Sequence, residues 1–282
     1  MGLQKKIRVD TSIKKKNAKL NIKYAILQMM FWTCAASAYA YLTQMLQYKG
    51  FTDGQIGVIN AVKLFSTVVF QIIIGVFSDR HAERIQLKYI ISVLTVVALL
   101  LTSVFYEYKL SFVQTVTLFI GFGATFTCIS PLIDSLSIKY MNDGRNINYP
   151  ICRAAGSCAW AVACVLFGGF CDRYDANRLL ILQMLFTAMM LAVLLVMDDT
   201  SSCSDCRALG ARERIAAANI TETRKTEVHT AGYLLTTYPK YRWFLIGSAV
   251  MFMGYNVGTT FLINVFERLG GNNFHYGPVS YT

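Results

Sequence analysis

Seven apolar stretches, each long enough to cross a lipid bilayer, determine what this chain can fold into. They run over Tyr24–Leu46, Gln55–Phe77, Lys88–Phe105, Leu110–Ile138, Pro150–Phe170, Arg178–Met197 and Trp243–Val265. A helix of about 20 apolar residues matches the hydrocarbon thickness of a bilayer. No alternating barrel pattern is present, and backbone polar groups within a bilayer must be satisfied inside each segment, so every stretch is predicted to be helical. The chain is therefore expected to be an all-α membrane protein.

The basic residues are distributed unevenly between the segments that connect these spans. If the connections alternate between the two sides of the membrane, 20 of the 27 Lys and Arg residues lie on the side of the N terminus and five on the other. This asymmetry follows the positive-inside rule and predicts a cytoplasmic N terminus in an inner (plasma) membrane. The net charge of +11 then reflects topology, with contact to anionic lipid as a secondary effect, and no nucleic-acid partner is expected.

Most of the eight cysteines lie in or at the ends of the apolar stretches, where a free cysteine acts as a small hydrophobic residue. Cys203 and Cys206 instead form a lone C-x-x-C motif in the polar segment 198–242. A zinc site there would need two further ligands, and only the distant His229 offers one. We therefore expect no metal site, and no cofactor is predicted.

The lengths of the connecting segments divide the chain into parts. We predict a basic cytoplasmic tail (1–23), a six-span bundle (24–197), a cytoplasmic linker (198–242) in which Arg207–Asn219 is compatible with a surface helix, a seventh helix (243–265) and an external tail (266–282). Six closely spaced spans, a long linker and one more span are expected of a two-half membrane domain whose second half is incomplete in this sequence.

A short internal sequence repeat relates the end of the second span to the end of the fifth. Gly75 is followed by Asp79-Arg80 and then Arg84, while Gly168 is followed by Asp172-Arg173 and then Arg178. The two turns occupy corresponding places in two three-span units, and they are predicted to face opposite sides of the membrane. This is the pattern of an inverted 3+3 repeat.

Three charged residues lie deep within predicted spans, where charge is costly and usually functional. Asp134 in span four and Arg153 in span five are each two to three helical turns from the intervening loop, so both are expected at similar depth on adjacent antiparallel helices. Their pairing could be a static salt bridge or could hold a substrate. Lys63 lies about 18 Å from the end of span two, too far to reach the interface, and should face a cavity or an acidic partner, for which Asp134 is a candidate.

Trp160 follows Arg153 by seven residues and therefore lies two turns further along the same helical face. An indole at this position could stack on the apolar face of a sugar ring. Interhelical packing is an equally good explanation of the same residue, and the sequence leaves both open.

The segment from Gly75 to Arg84 resembles the loop signature of the major facilitator superfamily, although its internal glycine is missing. The resemblance implies that Gly75 allows close helix approach, that Asp79 caps its helix or pairs with a neighbouring one, and that Arg80 and Arg84 anchor a cytoplasmic gate. It also implies the superfamily's N-terminal six-helix bundle.

Within that superfamily, Asp134, Arg153, Gly156 and Trp160 resemble the acidic–Arg–Gly–Trp constellation of the lactose permease group of proton symporters. The resemblance implies that the acidic residue and Arg153 hold the substrate and that Trp160 stacks on it. It also implies that the proton-carrying residues belong to later helices, which this sequence lacks.

Other parts of the sequence resemble this group or its neighbours. Tyr238–Thr259 is similar to the start of the group's seventh helix, but Asn256 and Thr259 stand where the group has Asp. The sequence motif Pro131-Leu-Ile-Asp134 also resembles the corresponding segment of phenylpropionate and nucleoside permeases.

The sequence therefore predicts a secondary active transporter that takes up a small polar solute, a sugar or related compound, with a proton by alternating access. Two alternatives are a non-transporting fragment of such a permease and a seven-span receptor or interaction protein. No enzymatic activity is expected, because the spans contain neither a metal-ligand cluster nor a nucleophile pair. The lipid bilayer and a solute are the expected partners, and a missing C-terminal half is expected to be required.

Overall fold

The computed structural model describes residues 2–81, 84–198, 236–271 and 276, and the described residues form an all-helical fold. Its main helices are α1 (Gly2–Ala35), α2 (Leu42–Tyr48), α3 (Asp53–Arg80), α4 (Leu87–Glu107), α5 (Phe112–Asn142), α6 (Tyr149–Cys171), α7 (Leu179–Val196) and α8 (Pro239–Arg268). A π-helical turn joins α1 to α2, and a 3₁₀ turn precedes α7. Six helices can each span a membrane by length and hydropathy, and α1 with α2 forms a bent seventh candidate. The prediction of an all-α fold is confirmed, and seven spans result when the bent α1–α2 pair is counted as one.

Local sequence signals explain where the helices begin. Thr52 and Gln55 form a capping box at the start of α3, and Ser111 and Gln114 form another at the start of α5. Each pair satisfies two backbone N–H groups that would otherwise have no partner in the first turn. Pro150 lies in the first turn of α6, where its missing N–H costs no helical hydrogen bond.

The first span differs from the prediction in two ways. Its helix begins at Gly2 rather than near Tyr24, because residues 3–35 contain neither Gly nor Pro to interrupt it. It then bends by 51° at the π-helical turn Ala36–Ala40 before continuing as α2. A π-helical turn is a known cause of such bends, and it often occurs at a functional site.

The helix neighbours confirm the inverted repeat. With α1, α3 and α4 as the first unit and α5, α6 and α7 as the second, the main packed pairs are α3–α5, α1–α6, α4–α5, α1–α7 and α4–α7. Exchanging each helix for its counterpart converts α3–α5 into α6–α1 and α4–α5 into α7–α1, and it leaves α4–α7 unchanged. Gly75 and Gly168 are 93 residues apart. By the same offset, Pro131 inside α5 corresponds in the repeat to Ala38 in the bent first span.

This packing corrects the expectation that α5 and α6 are neighbours. Although one short turn connects them, α6 packs along α1, whereas α5 packs along α3 and α4. The inverted repeat requires this arrangement, because each unit places its middle helix against the first helix of the other unit. Asp134 and Arg153 therefore belong to helices that do not pack lengthwise.

A polar cluster holds four helices together at the end of the bundle where α7 finishes. The Lys23 ammonium group lies 3.0 Å from the Asp198 carboxylate, and Arg145 lies 3.7 Å from it. Lys88 donates to the Met197 carbonyl at 3.0 Å, and the Tyr140 hydroxyl donates to the Asp198 carbonyl. These contacts come from α1, α4, α5 and the loop after α5, so the cluster fixes the end of α7 against the rest of the bundle.

Helix α8 contacts the bundle near its C-terminal end. Thr43 donates to the Thr260 carbonyl at 2.7 Å, Gln47 donates to the Asn264 side chain at 3.1 Å, and Asn264 donates to Asp53 at 3.2 Å. The first half of α8 is exposed. Residues 199–235, which carry Cys203, Cys206 and the predicted helix Arg207–Asn219, lie outside the described residues, as does most of the predicted external tail.

Candidate functional site

A cavity of about 510 Å³ lies between the six-span bundle and α8. Its volume is typical of small-molecule binding sites, which range over roughly 300–1,000 Å³. The first span, α3, α5, α6 and α8 all contribute to its wall. The lining side chains used below are the cationic Lys63 and Arg153, the aromatic Trp32, Tyr39, Trp160, Phe252 and Tyr255, and the neutral polar Thr43, Asn60, Thr127, Ser157, Asn256 and Thr259.

Arg153 is placed in the cavity wall by an aromatic contact. Its Cζ atom lies 4.1 Å from the centroid of the Trp32 ring, and Nη1 donates to the Ser157 hydroxyl at 3.4 Å. Trp32 reaches this position because Gly156 faces it from α6: a Cβ atom at residue 156 would lie only 2.7 Å from Trp32 Cδ1. The glycine thus makes room for a cation–π contact between α1 and α6.

Asp134 does not pair with Arg153, and the expected ion pair is absent from the part of the chain that the structure describes. The Asp134 carboxylate instead accepts a hydrogen bond of 3.1 Å from Gln28. Tyr149, at the start of α6, lies beside both Asp134 and Arg153. Asp134 is absent from the cavity lining, and its partner Gln28 and the partner of Arg153, Trp32, both belong to α1.

Gln28 is the centre of a buried polar network that the sequence reasoning missed. Its side chain is 1% exposed, accepts from the Trp32 indole N–H at 3.1 Å and donates to the Tyr24 hydroxyl at 3.0 Å. That hydroxyl donates to the Ile133 carbonyl at 3.1 Å. Gln28, Trp32 and Tyr39 are spaced so that their polar and aromatic groups lie on one helical face. This spacing is the sequence signal that could have revealed the network.

Lys63 faces the cavity, which is one of the two environments that the sequence predicted for it, the other being an acidic partner. It is 5% exposed, and its Nζ atom lies 5.4 Å from the centroid of the Tyr39 ring. Asp134 is not its ion-pair partner in the described structure. The Lys63 backbone is held close to α5 at Gly123, where any Cβ atom would overlap the Lys63 carbonyl oxygen.

Three aromatic rings connect the two cationic side chains along the cavity wall. The Tyr39 and Trp160 centroids are 6.4 Å apart, and those of Trp160 and Trp32 are 5.7 Å apart. We call Tyr39, Trp160 and Trp32 the aromatic arc, with Lys63 against its first ring and Arg153 against its last. Trp160 also packs against the buried apolar core of the bundle. It therefore contributes to interhelical packing and also lines the cavity, the two roles considered from the sequence.

Helix α8 completes the cavity with neutral polar and aromatic side chains. Asn256 donates to the Phe252 carbonyl at 2.9 Å, and Thr259 donates to the Tyr255 carbonyl at 2.9 Å. These bonds are internal to α8 and leave the amide and hydroxyl oxygens as acceptors. The two positions where the lactose permease group carries Asp therefore face the cavity without charge.

The predicted gate residues lie at the end of α3 and beyond it. A Cβ atom at Gly75 would meet nothing within 4 Å among the described residues, so the close helix approach expected there stays a prediction. Asp79, Arg80 and Arg84 are exposed and form no ion pair with a described residue. Their signature sequence thus follows a lipid- or solvent-facing stretch of α3, and their role in a gate stays a prediction.

Among the described residues, no three His, Cys, Asp or Glu side chains lie close enough to hold a metal ion. The candidate site therefore consists of the cavity, its two cationic groups and the aromatic arc.

Comparison with known proteins agrees with this architecture. The sequence model of the MFS_1 like family matches residues 21–280. No curated protein matches the chain. Among solved structures, the nucleoside transporter NupG aligns with a TM-score of 0.56 at 14% identity, and a point mutant of that transporter aligns with a TM-score of 0.57 at 15% identity. Each alignment covers 71% of this chain and 53% of the other, so the chain spans about half the length of the transporters it matches.

At this identity the structural likeness establishes the fold, while the family model covers nearly the whole chain. The protein belongs to the MFS_1-like family of the major facilitator superfamily.

Proposed function

We propose that the protein is a secondary active transporter that takes up a small polar solute by alternating access. The observation that carries this proposal is the cavity between the six-span bundle and α8, in which Lys63, Arg153 and the aromatic arc face a common space. Cationic and aromatic side chains around a deep cavity serve to bind a solute. The same wall offers neither a nucleophile with its base nor a metal cluster among the described residues, so we propose binding and translocation rather than catalysis.

Sugars and nucleosides are the two neutral solute classes to consider. A sugar follows from the resemblance of Arg153, Gly156 and Trp160 to the lactose permease group. A nucleoside follows from the structural likeness to the nucleoside transporter NupG. Both solutes have a ring that could pack on Trp160, together with hydroxyl groups that could accept from Arg153.

Proton coupling is the second part of the proposal. Asp134 is the acidic residue that the described spanning helices carry away from their ends. Carboxylates within membrane spans mark proton relays in pumps and transporters. Its neighbours Gln28 and Tyr149 connect it to Trp32 and Arg153, so a change of charge at Asp134 would be felt at the cavity wall.

Orientation and gating complete the proposal. The excess of Lys and Arg on the side of the N terminus supports a cytoplasmic N terminus in the plasma membrane. Asp79, Arg80 and Arg84 would then lie at the cytoplasmic end of α3, where they would anchor contacts of the inward gate. Helix α8 lines the cavity and would be the start of a second membrane unit.

Uptake measurements test this function. Cells or proteoliposomes containing the full chain should accumulate a radiolabelled solute faster when the outside is more acidic, and a protonophore should remove that stimulation. A panel of disaccharides, nucleosides and ring-bearing carboxylates would identify the substrate class. Failure of every member to bind to a folded, purified protein would contradict the proposal.

A further inference from the structure

The charge of the cavity restricts the kind of solute that it can hold. Lys63 and Arg153 both line it, and no acidic side chain of the described residues does so. The remaining lining groups are neutral, including Asn256 and Thr259 on α8. A site with two cations and no described counter-charge is electrostatically incomplete, because a buried charge such as that of Lys63 is costly without compensation.

Lys63 shows this incompleteness most clearly. The residue is only 5% exposed, and among the described residues its Nζ atom has neither a hydrogen bond nor an ion pair. Its described electrostatic contact is the face of Tyr39, at 5.4 Å. An ammonium group has three donors, so this one is aimed into the cavity with its hydrogen-bonding capacity unused by the protein.

Arg153 is similarly available. The indole of Trp32 holds its planar group from one side, and Ser157 takes one N–H at the long distance of 3.4 Å. The carboxylate that the sequence suggested as its partner, Asp134, is engaged by Gln28 outside the cavity. A guanidinium group presents a fork of N–H donors, and no described residue supplies a carboxylate to it, so these donors are available to polar groups of a ligand.

The wall between the two cations is apolar and aromatic. The aromatic arc provides three rings in succession, with Trp160 in its centre. Phe252 and Tyr255 of α8 also line the cavity. Such a wall favours a planar or cyclic group over an extended flexible chain.

We propose that the cavity binds an organic anion that carries a ring: the Lys63 ammonium group binds its carboxylate, its ring packs against the aromatic arc, and Arg153 lies at the other end of the arc. This inference rests on the proposed transport function and narrows its substrate class from neutral sugars and nucleosides to ring-bearing carboxylates, sugar acids included. A monovalent anion that enters together with one proton carries no net charge, so uptake would depend on the pH difference and not on the membrane voltage.

The test uses the purified full chain in lipid nanodiscs and the matched probes benzoate and benzamide, which differ in charge but hardly in shape. The protein contains three tryptophans, of which Trp32 and Trp160 line the cavity, whereas Trp243 is 66% exposed at the start of α8. In a Trp243→Phe background, the fluorescence change on titration therefore reports on the cavity. Uridine and lactose serve as neutral ring-bearing competitors.

We expect benzoate to bind at least about tenfold more tightly than benzamide, since charge-assisted hydrogen bonds are worth more than neutral ones. Lys63→Met removes the charge while keeping the length of the side chain. It should reduce the preference for benzoate to less than about threefold and, without ligand, raise the unfolding temperature, because an unpaired buried charge is lost. Lys139→Gln removes a cation outside the cavity and should leave both measurements unchanged.

Equal binding of benzoate and benzamide, or tighter binding of uridine or lactose with no effect of Lys63→Met, would overturn the anion inference but leave a solute transporter. Absence of binding by every probe, with the protein folded, would overturn both the inference and the proposed function. A fall in the unfolding temperature of Lys63→Met would show that its charge has a partner in the protein and would also contradict the inference.

Discussion

The guanidinium group of Arg153 lies over the indole ring of Trp32, with 4.1 Å between Cζ and the ring centroid. A contact of this kind holds the cation in place without neutralising it. The N–H donors at the edge of the guanidinium plane stay accessible from the cavity, which an ion pair with Asp134 would have prevented. The relationship between α1 and α6 therefore leaves these donors available to the proposed solute.

The variant Arg153→Lys tests this role. A lysine side chain would keep the positive charge, but it lacks the planar fork and stacks less well on Trp32. We expect solute uptake and binding in Arg153→Lys to fall at least about tenfold, the loss of roughly one charge-assisted hydrogen bond, with normal expression. Arg173→Lys, at an exposed position beyond α6, is the matched control and should behave as the unmodified protein. Unimpaired uptake by Arg153→Lys would remove Arg153 from the site.

Gln28→Leu tests the buried network behind that site. The substitution keeps the volume of the side chain but leaves the Trp32 N–H and one Asp134 oxygen without their partner. A buried polar group without a hydrogen bond costs about 1–3 kcal/mol. We expect a lower midpoint of thermal unfolding in detergent and weaker solute binding, because Trp32 is no longer oriented. Gln71→Leu, on an exposed face of α3, should not lower the midpoint.

Much of the fold could be predicted because its signals are local. Apolar length defines the spans, and the recurrence of Gly75 and Asp79 as Gly168 and Asp172 reveals the repeat. The bend in the first span could not be predicted, because Ala36–Ala40 has no proline and reads as an ordinary helix. The corresponding place in the second unit contains Pro131, yet α5 continues through it as one helix, so proline content does not tell which unit bends.

The candidate site could be predicted in part, for a similar reason. Intramembrane charge identifies Lys63, Asp134 and Arg153 from the sequence, but pairing depends on which helices are neighbours. Connection by a short loop suggested that α5 and α6 pack together, whereas α1 takes that place beside α6. The exchange of Asp134 for Trp32 as the partner of Arg153 follows from this single difference in packing.

The two close glycine contacts give a prediction with an internal comparison. A Cβ atom at Gly123 would overlap the Lys63 carbonyl oxygen, which is backbone and cannot move alone, while one at Gly156 would press on the Trp32 ring. We expect Gly123→Ala to destabilise the protein by roughly 1–3 kcal/mol, as overpacking does. Gly156→Ala should chiefly weaken solute binding, because Trp32 can turn away and release Arg153.

Gly75→Ala is the control for both variants, because its added methyl group meets nothing within 4 Å. In the interior of a helix, alanine is more stabilising than glycine by roughly 0.5–1 kcal/mol. The unfolding midpoint of Gly75→Ala should therefore stay the same or rise. Thermal unfolding and solute titration of the three variants provide the measurements. If Gly75→Ala were the most destabilising of the three, α3 would have a close neighbour that this packing does not contain.

The contact between α8 and the bundle predicts a crosslink that should stop transport. Gln47 donates to Asn264 at 3.1 Å, so cysteines at these two positions lie within reach of a reducible bifunctional thiosulfonate crosslinker. Alternating access requires the two membrane units to separate at each end in turn. We expect crosslinked Gln47→Cys/Asn264→Cys to bind solute but not to transport it, and reductive release of the crosslinker to restore uptake. Peptide mass spectrometry identifies the linked pair among the eight native cysteines, each single variant serves as a control, and continued uptake by the crosslinked protein would show that α8 does not move against α2 during transport.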